Sequence, residues 1–239
     1  MEQGSRPRIL VFASGSADGG GSGFVKLVEM ARRGYLQADI VAVVSNHENG
    51  GVRKKADKLG IPFEFFDYSA ITAGLTRDSK EWKQALVLAY QALYRKYGSP
   101  WVMLSGWLKP AYGLVTQKTV NIHPGPVPQF GGFGMHGHHV HEAVLKAFGA
   151  GQITHSAVSM HFVDDRLPYD QGPLIFMMPV PLEKGDTADT IAKRVNAMEH
   201  AWQWYVTNLI VQRMIRLENG EVVVPPWYTL NRIIEQGVQ

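Results

Sequence analysis

Over the first half of the chain, short apolar runs alternate with longer segments in which apolar residues recur every three or four positions. The runs "RILVFAS" (8–14), "ADIVAVVSN" (38–46), "IPFEFFD" (61–67) and "PWVMLSGW" (100–107) predict buried strands. Between them, "FVKLVEMARRGYL" (24–36) sets Phe24, Leu27, Val28 and Ala31 on one helix face, with Gly34 as its stop. "GVRKKADKLG" (51–60) reads as a short basic helix ended by Gly60. "SKEWKQALVLAYQALYRKYG" (79–98) spaces Trp82, Leu86, Ala89, Tyr90 and Leu93 as a helix face that stops at Gly98. Buried strands alternating with helices predict a parallel sheet covered on both faces.

From about residue 120 the pattern changes. "TVNIHP" (119–124), "SAVSMHFV" (156–163) and "PLIFMMPVPL" (173–182) predict strands, the last two an antiparallel pair or mixed edge joined by the loop "DDRLPYDQG" (164–172). A long helix follows over 187–214, with Thr187 as its N-cap, and "NGEVVVPPW" (219–227) suggests a hairpin arm. The expected fold class is α/β: a Rossmann-like, mostly parallel twisted sheet with helices on both faces and a mixed or antiparallel C-terminal part. No repeat or low-complexity linker interrupts the chain. It reads as one domain over 1–239, with a phosphate-binding lobe at 1–115 and a second lobe at 116–239.

Composition adds exclusions. The 239 residues, 45% hydrophobic and 19% charged, are ordinary for a globular protein with a sizeable core. A net charge of +3 and a pI near 9.0 would help an anionic substrate approach but give no grip on nucleic acid. The absence of cysteine excludes disulfides, Cys-ligated zinc and thiol nucleophiles. "MEQGSRPRILVFASG" has no apolar stretch typical of a secretion signal, and no run is long enough to span a bilayer, so a cytoplasmic protein without a membrane partner is expected.

Three stretches could carry chemistry. "SGSADGGGSGF" (14–24) joins the first strand to the first helix, where glycines let backbone N–H groups approach a phosphate; a merely flexible loop is the alternative. It fits neither a G-x-G-x-x-G fingerprint nor a P-loop, and an NAD-type dehydrogenase is disfavoured accordingly. In "TVNIHP", Asn121 and His123 point to one face of a strand. They could hold an oxyanion and pass a proton to it, or be a buried hydrogen-bonded pair. Asp170, in a loop bounded by Gly and Pro, would raise the His123 pKa and orient the ring if it reached it, or would serve only as a turn former. The cluster "HGHHVH" (136–141) suggests a metal site, but ordered ligands at zinc spacing are lacking, and no metal is expected.

Taken in order, the Gly/Ser loop, "GWLKP", "NIHPGPVPQFGGFGMHG", "SMHFVDDRLPYDQGP" and "RVNAMEH" resemble the folate-dependent formyltransferases. The likeness covers about residues 8–227 and is strongest to the branch that formylates glycinamide ribonucleotide in purine synthesis. The resemblance implies transfer of the formyl group of 10-formyltetrahydrofolate, as co-substrate, to the amine of a phosphorylated ribosyl glycinamide. It implies the formyltransferase fold and makes the second lobe catalytic and folate-binding. It assigns Asn121, His123 and Asp170 as the catalytic trio, with Ser159 and His161 as the shell around Asp170. Gly21, Ser22 and Gly23 would hold the substrate phosphate. Asn196, Ala197, Met198 and Glu199 would lie along the ribose, with Glu199 on its hydroxyls. Leu108, Lys109, Pro110 and Ala111, together with Asp164, Asp165, Arg166, Leu167, Asp170 and Asn121, would clasp the folate, and Lys80 would approach its tail. A monomer or homodimer is expected.

Three departures stand out: the lengthened glycine loop, with Gly23 where the family has Asn; Gly125-Pro126-Val127-Pro128 in place of Ser-Leu-Leu-Pro; and the extra Pro168-Tyr169 in the Asp loop. They leave sugar-nucleotide amine formyltransferases open as an alternative. A formyltetrahydrofolate deformylase would be expected to carry a domain before the first strand, and a methionyl-tRNA formyltransferase a barrel after "VVVPPW". A catalytically silent nucleotide-binding module would be expected to lose a member of the trio, and all three residues are present.

Overall fold

A computed structural model describes residues 6–228. The chain divides into two compact units, residues 1–119 and 120–239. In the first, β1 (Arg8–Phe12), β2 (Asp39–Ser45), β3 (Phe63–Phe65) and β4 (Trp101–Ser105) form parallel ladders in the order β3-β2-β1-β4. Ile9 to Phe12 and Ala42 to Val44 are buried to the last atom or nearly so, as continuous apolar strands covered on both faces should be.

The connecting helices are α1 (Ser22–Arg32), α2 (Gly51–Leu59), the short α3 (Tyr68–Ile71) and α4 (Lys80–Lys96). Phe24, Leu27 and Val28 are the buried face of α1, which packs on β2. On α4, Trp82, Leu86 and Tyr90 are buried, while Leu88 is 54% exposed. Helix α1 begins two residues earlier than the apolar spacing predicts, because the turn starts at Ser22 and leaves Ser22 and Gly23 in its polar first turn. No apolar spacing marks α3, which Asp67 caps by accepting from the Ala70 N–H at 2.9 Å.

In the second unit, β5 (Thr119–His123), β6 (His155–Phe162) and β7 (Leu174–Pro181) are antiparallel, with α5 (His138–Gly149) between β5 and β6. Helix α6 (Ala188–Val211) packs on α5, β6 and β7. Thr187 is its N-cap as expected. The Thr187 hydroxyl accepts from the Thr190 N–H at 3.2 Å, and the Thr190 hydroxyl accepts from the Thr187 N–H at 3.0 Å. The hairpin arm forms as β8 (Arg216–Glu218) and β9 (Glu221–Val223) around an Asn219-Gly220 turn with φ of 52° and 85°. The α/β class, with parallel strands first and an antiparallel part after them, is the one the sequence predicts.

Candidate active site

The strand β5 presents Asn121 and His123 to one face, and its antiparallel register sets His161 of β6 opposite Asn121 and Ser159 opposite His123. Four polar side chains thus gather on adjacent strands before any loop contributes. The loop after β6 then returns Asp170 to them. Gly172 allows that return: a Cβ there would fall 1.8 Å from the Phe162 carbonyl oxygen. Asp170 itself adopts φ 60°, a conformation that a non-glycine residue holds only where its surroundings impose it.

The Asn121 amide nitrogen donates to Asp170 Oδ1 at 3.0 Å and lies 3.2 Å from His161 Nε2. His161 Nδ1 faces the Phe162 carbonyl at 2.9 Å. A carbonyl only accepts, so Nδ1 carries a proton, and Nε2 is the nitrogen left facing the Asn121 amide and the Asp170 carboxylate. The same logic fixes His123. Its Nε2 is 2.8 Å from the Phe130 carbonyl and so is protonated, which leaves Nδ1 as the nitrogen that titrates. That Nδ1 stands 3.6 Å from Asp170 Oδ2, close for charges but too far for a direct hydrogen bond. His161 Nε2 is 3.4 Å from Asp170 Oδ1.

Burial and charge oppose each other here. Burial lowers the His123 pKa, and the His161 ring adds to that, while Asp170 and the Phe130 carbonyl raise it; the net shift is downward. For Asp170 burial acts upward but is outweighed by His161, the charge of His123 and the Gly132 N–H, so the carboxyl titrates below its usual range. An ionised carboxylate therefore sits beside a buried imidazole that protonates reluctantly, a pair suited to moving a proton near neutral pH.

Several contributors carry no mark in the sequence because they are backbone. The Gly132 N–H donates to Asp170 Oδ2 at 3.0 Å, and the Phe130 carbonyl holds His123. Gly131 has no Cβ to collide with Asp170; one built there would lie 2.7 Å from the Asp170 Cβ. The Gly-Gly pair after an apolar residue is the one sequence signal that could have pointed to them. Of the expected shell, His161 touches Asp170 directly. Ser159 instead donates to the Gly125 carbonyl at 2.7 Å and anchors the start of the glycine-rich loop.

Elsewhere in this unit, Glu199 on α6 accepts from the Asn196 amide at 3.2 Å. Burial raises its pKa to about 7, and the Asn196 bond only partly opposes that. Met198 is half-buried and Ala197 exposed. Asp164 accepts from the Arg166 backbone N–H at 3.1 Å and from its guanidinium at 2.8 and 2.5 Å, folding the loop onto itself, and Leu167 is exposed. Asp165 lies between them in the loop.

In the first unit, the lengthened glycine loop curls against α2. Ser16 N–H donates to the Gly19 carbonyl, and Gly51 N–H to the Ser16 carbonyl at 2.9 Å. A Cβ at Gly51 would fall 2.5 Å from the Gly19 carbonyl oxygen, and one at Gly20 only 2.2 Å from the Gly15 Cα. Lys54 pairs with Asp18 at 2.8 Å and Lys55 donates to the Gly20 carbonyl. Gly21 (φ 71°) precedes α1, and no side chain caps the N–H groups that follow at Ser22 and Gly23. An anion is the natural partner for such a terminus.

The segment Leu108–Ala111 is fixed at both ends. Leu108 N–H donates to Ser14 Oγ at 2.9 Å, and Tyr90 receives the Trp107 indole N–H while donating to the Pro110 carbonyl, both at 2.8 Å. The Lys109 ammonium lies 4.9 Å from the Tyr68 ring centre. Lys80 is the first residue of α4. Among the described residues no group of three or more His, Asp or Glu side chains could hold a metal ion, and no helix is long and apolar enough to cross a membrane.

Known proteins resemble this chain. The family model described as formyl transferase matches residues 7–209. Two plant proteins named phosphoribosylglycinamide formyltransferase, chloroplastic, from Arabidopsis thaliana and Vigna unguiculata, are each 33% identical over 88% and 84% of this chain, which spans 68% and 59% of theirs. The phosphoribosylglycinamide formyltransferase of Escherichia coli (strain K12) is 29% identical over 96% of this chain and 97% of its own. The solved glycinamide ribonucleotide transformylase 1 of Symbiobacterium toebii superposes with a TM-score of 0.74 at 24% identity, covering 93% of this chain and 95% of that one, which establishes the common fold. The chain belongs to the formyl transferase family.

Proposed function

We propose that this protein transfers the formyl group of 10-formyltetrahydrofolate to the amine of glycinamide ribonucleotide. The observation that carries the reading is the meeting of Asn121, His123 and Asp170, with an Asn121–Asp170 hydrogen bond of 3.0 Å and a His123–Asp170 approach of 3.6 Å, within a chain of this family. Relatives that bear the corresponding name match it along nearly the whole length of both chains.

In the reaction the substrate amine forms a bond to the formyl carbon, the bond from that carbon to the folate N10 breaks, and the proton lost by the amine ends on N10. Charge first builds on the formyl oxygen. The Asn121 amide is placed to donate to it, with the proton not held by Asp170 at 3.0 Å. His123 is held by Phe130 through Nε2, so its Nδ1 takes up and delivers the proton, and ionised Asp170 favours the charged ring. At 3.6 Å the carboxylate pairs directly with the charged ring, and a small approach brings Nδ1 within hydrogen-bond reach of Oδ2.

Gly21, Ser22 and Gly23 are assigned to the acceptor phosphate, and Asn196 to Glu199 to its ribose. Leu108 to Ala111, Lys80, Asp164 to Leu167, Asp170 and Asn121 are assigned to the folate. Deprotonated Glu199 accepts hydrogen bonds from vicinal hydroxyls, a task that suits a carboxylate with little competing solvent. The protein would work as a monomer or homodimer.

The test is an assay of the purified chain with 10-formyltetrahydrofolate and a set of amines, followed by folate absorbance and product mass. Formylated glycinamide ribonucleotide is expected. Formate released without an acceptor, or transfer only to an amino sugar nucleotide, would overturn the assignment.

A further inference from the structure

The loop Phe130–Phe133 meets Asp170 at several points. The Phe130 side chain is buried on its inner side. Gly131 passes so close to Asp170 that a Cβ would not fit, and the Gly132 N–H donates to the carboxylate at 3.0 Å. On the outer side, the Phe133 ring meets the Tyr169 ring with centroids 6.3 Å apart and planes tilted by 43°. That distance and tilt lie within the attractive range for aromatic pairs.

Phe133 is 70% exposed and Tyr169 36%, so burial accounts for little of the Phe133 side of the contact. Their place in the chain is informative. Phe133 directly follows the residue that donates to Asp170, and Tyr169 directly precedes Asp170. The ring contact therefore spans the same gap as the hydrogen bond, one residue further out on each side. Gly132 and Gly134, with φ of 105° and 81°, adopt backbone conformations that favour glycine. The Gly131 N–H donates to the Pro128 carbonyl at 3.2 Å and the Met135 N–H to the Gly132 carbonyl at 3.1 Å, which shapes the turn, and the ring contact adds the tie on its outer side. Asp170, at φ 60°, needs its surroundings to hold it.

We infer that the Phe133–Tyr169 ring pair is a clasp that keeps the Gly132 N–H on Asp170, which makes both aromatics positioning residues for formyl transfer. The inference rests on the function proposed above. Tyr169 belongs to the extra Pro168-Tyr169 of the Asp loop, so the clasp is built from residues by which this chain departs from the resemblance. Its effect passes through one carboxylate. The groups facing Asp170 are His123 and Asn121 from β5, His161 from β6 and the Gly132 N–H. Release of the loop removes the last of these and raises the pH at which the carboxyl ionises.

The experiment is steady-state kinetics across pH, with 10-formyltetrahydrofolate and glycinamide ribonucleotide, of the unchanged chain and of Phe133→Ala, Tyr169→Ala, the double variant and Phe133→Tyr. In each alanine variant kcat is expected to fall about five- to tenfold. Both KM values should stay within about twofold, and the acid limb of kcat should move to higher pH. The double variant should lose no more than either single one, because both break the same contact, and Phe133→Tyr should restore kcat. An unchanged kcat and acid limb in Phe133→Ala, a loss confined to KM, or losses that add in the double variant would overturn the clasp while leaving the proposed function in place. No turnover by the unchanged chain would overturn both.

Discussion

The side-chain amide of Asn121 donates to the Asp170 carboxylate at 3.0 Å, and its nitrogen lies 3.2 Å from His161 Nε2. One donor group thus ties a strand, its neighbour and a loop to a single point. Replacing it with a carboxylate puts two negative groups about 3 Å apart in a largely buried place.

Asn121→Asp should therefore raise the apparent pKa of the carboxyl pair that the new side chain forms with Asp170. The sign follows from linkage: a carboxyl pair whose pKa is raised on folding leaves stability intact below about pH 4 and removes it as pH rises through the folded value. Thermal unfolding followed across pH should show a loss of about 3 kcal/mol at pH 7 relative to pH 4. Turnover should drop by at least about a hundredfold with the loss of the proposed oxyanion donor.

Gly51→Ala tests the glycine loop independently of the catalytic residues. The new Cβ would fall 2.5 Å from the Gly19 carbonyl oxygen, so the curl over residues 15–20 must open. The KM for glycinamide ribonucleotide should rise about tenfold with kcat nearly unchanged, as expected for lost uniform binding of a remote phosphate. A fall in kcat at constant KM would contradict the phosphate assignment.

Glu199, proposed to hold the acceptor ribose, also ties stability to pH. Its carboxyl titrates near 7 in the folded chain against an ordinary value of 4.5, so it costs nothing below pH 4.5 and weakens the fold as pH rises through 7. Glu199→Gln should raise the stability measured at pH 8 by about 1–3 kcal/mol and leave it unchanged at pH 4. It should also raise the KM for the acceptor, since the neutral amide is a weaker acceptor for ribose hydroxyls.

Much of this architecture is written in local patterns. The strands from Arg8 to Phe12, Asp39 to Ser45 and Trp101 to Ser105 show as continuous apolar runs, and Thr187 marks the start of α6 three residues before the threonine that completes its capping box. Asn121 and His123 are legible because strand alternation alone puts them on one face. That Asp170 reaches them is not legible, since the contact depends on a loop closing over Gly172. The working nitrogen of His123 is hidden for a different reason. It is decided by the Phe130 carbonyl, a group every residue carries, so no residue type announces it. The same holds for the Gly132 N–H and for the backbone-to-backbone packing of the glycine loop on α2. Sequence reveals side-chain chemistry and periodicity; backbone chemistry emerges only with the fold.

Asp170→Asn tests the centre most directly, because it keeps the side chain's shape while removing the charge that favours a protonated His123. Single-turnover formyl transfer at saturating folate should fall by about two to three orders of magnitude, with the fold intact. A rate within about threefold of the unchanged chain would remove the carboxylate from the reaction and contradict the account.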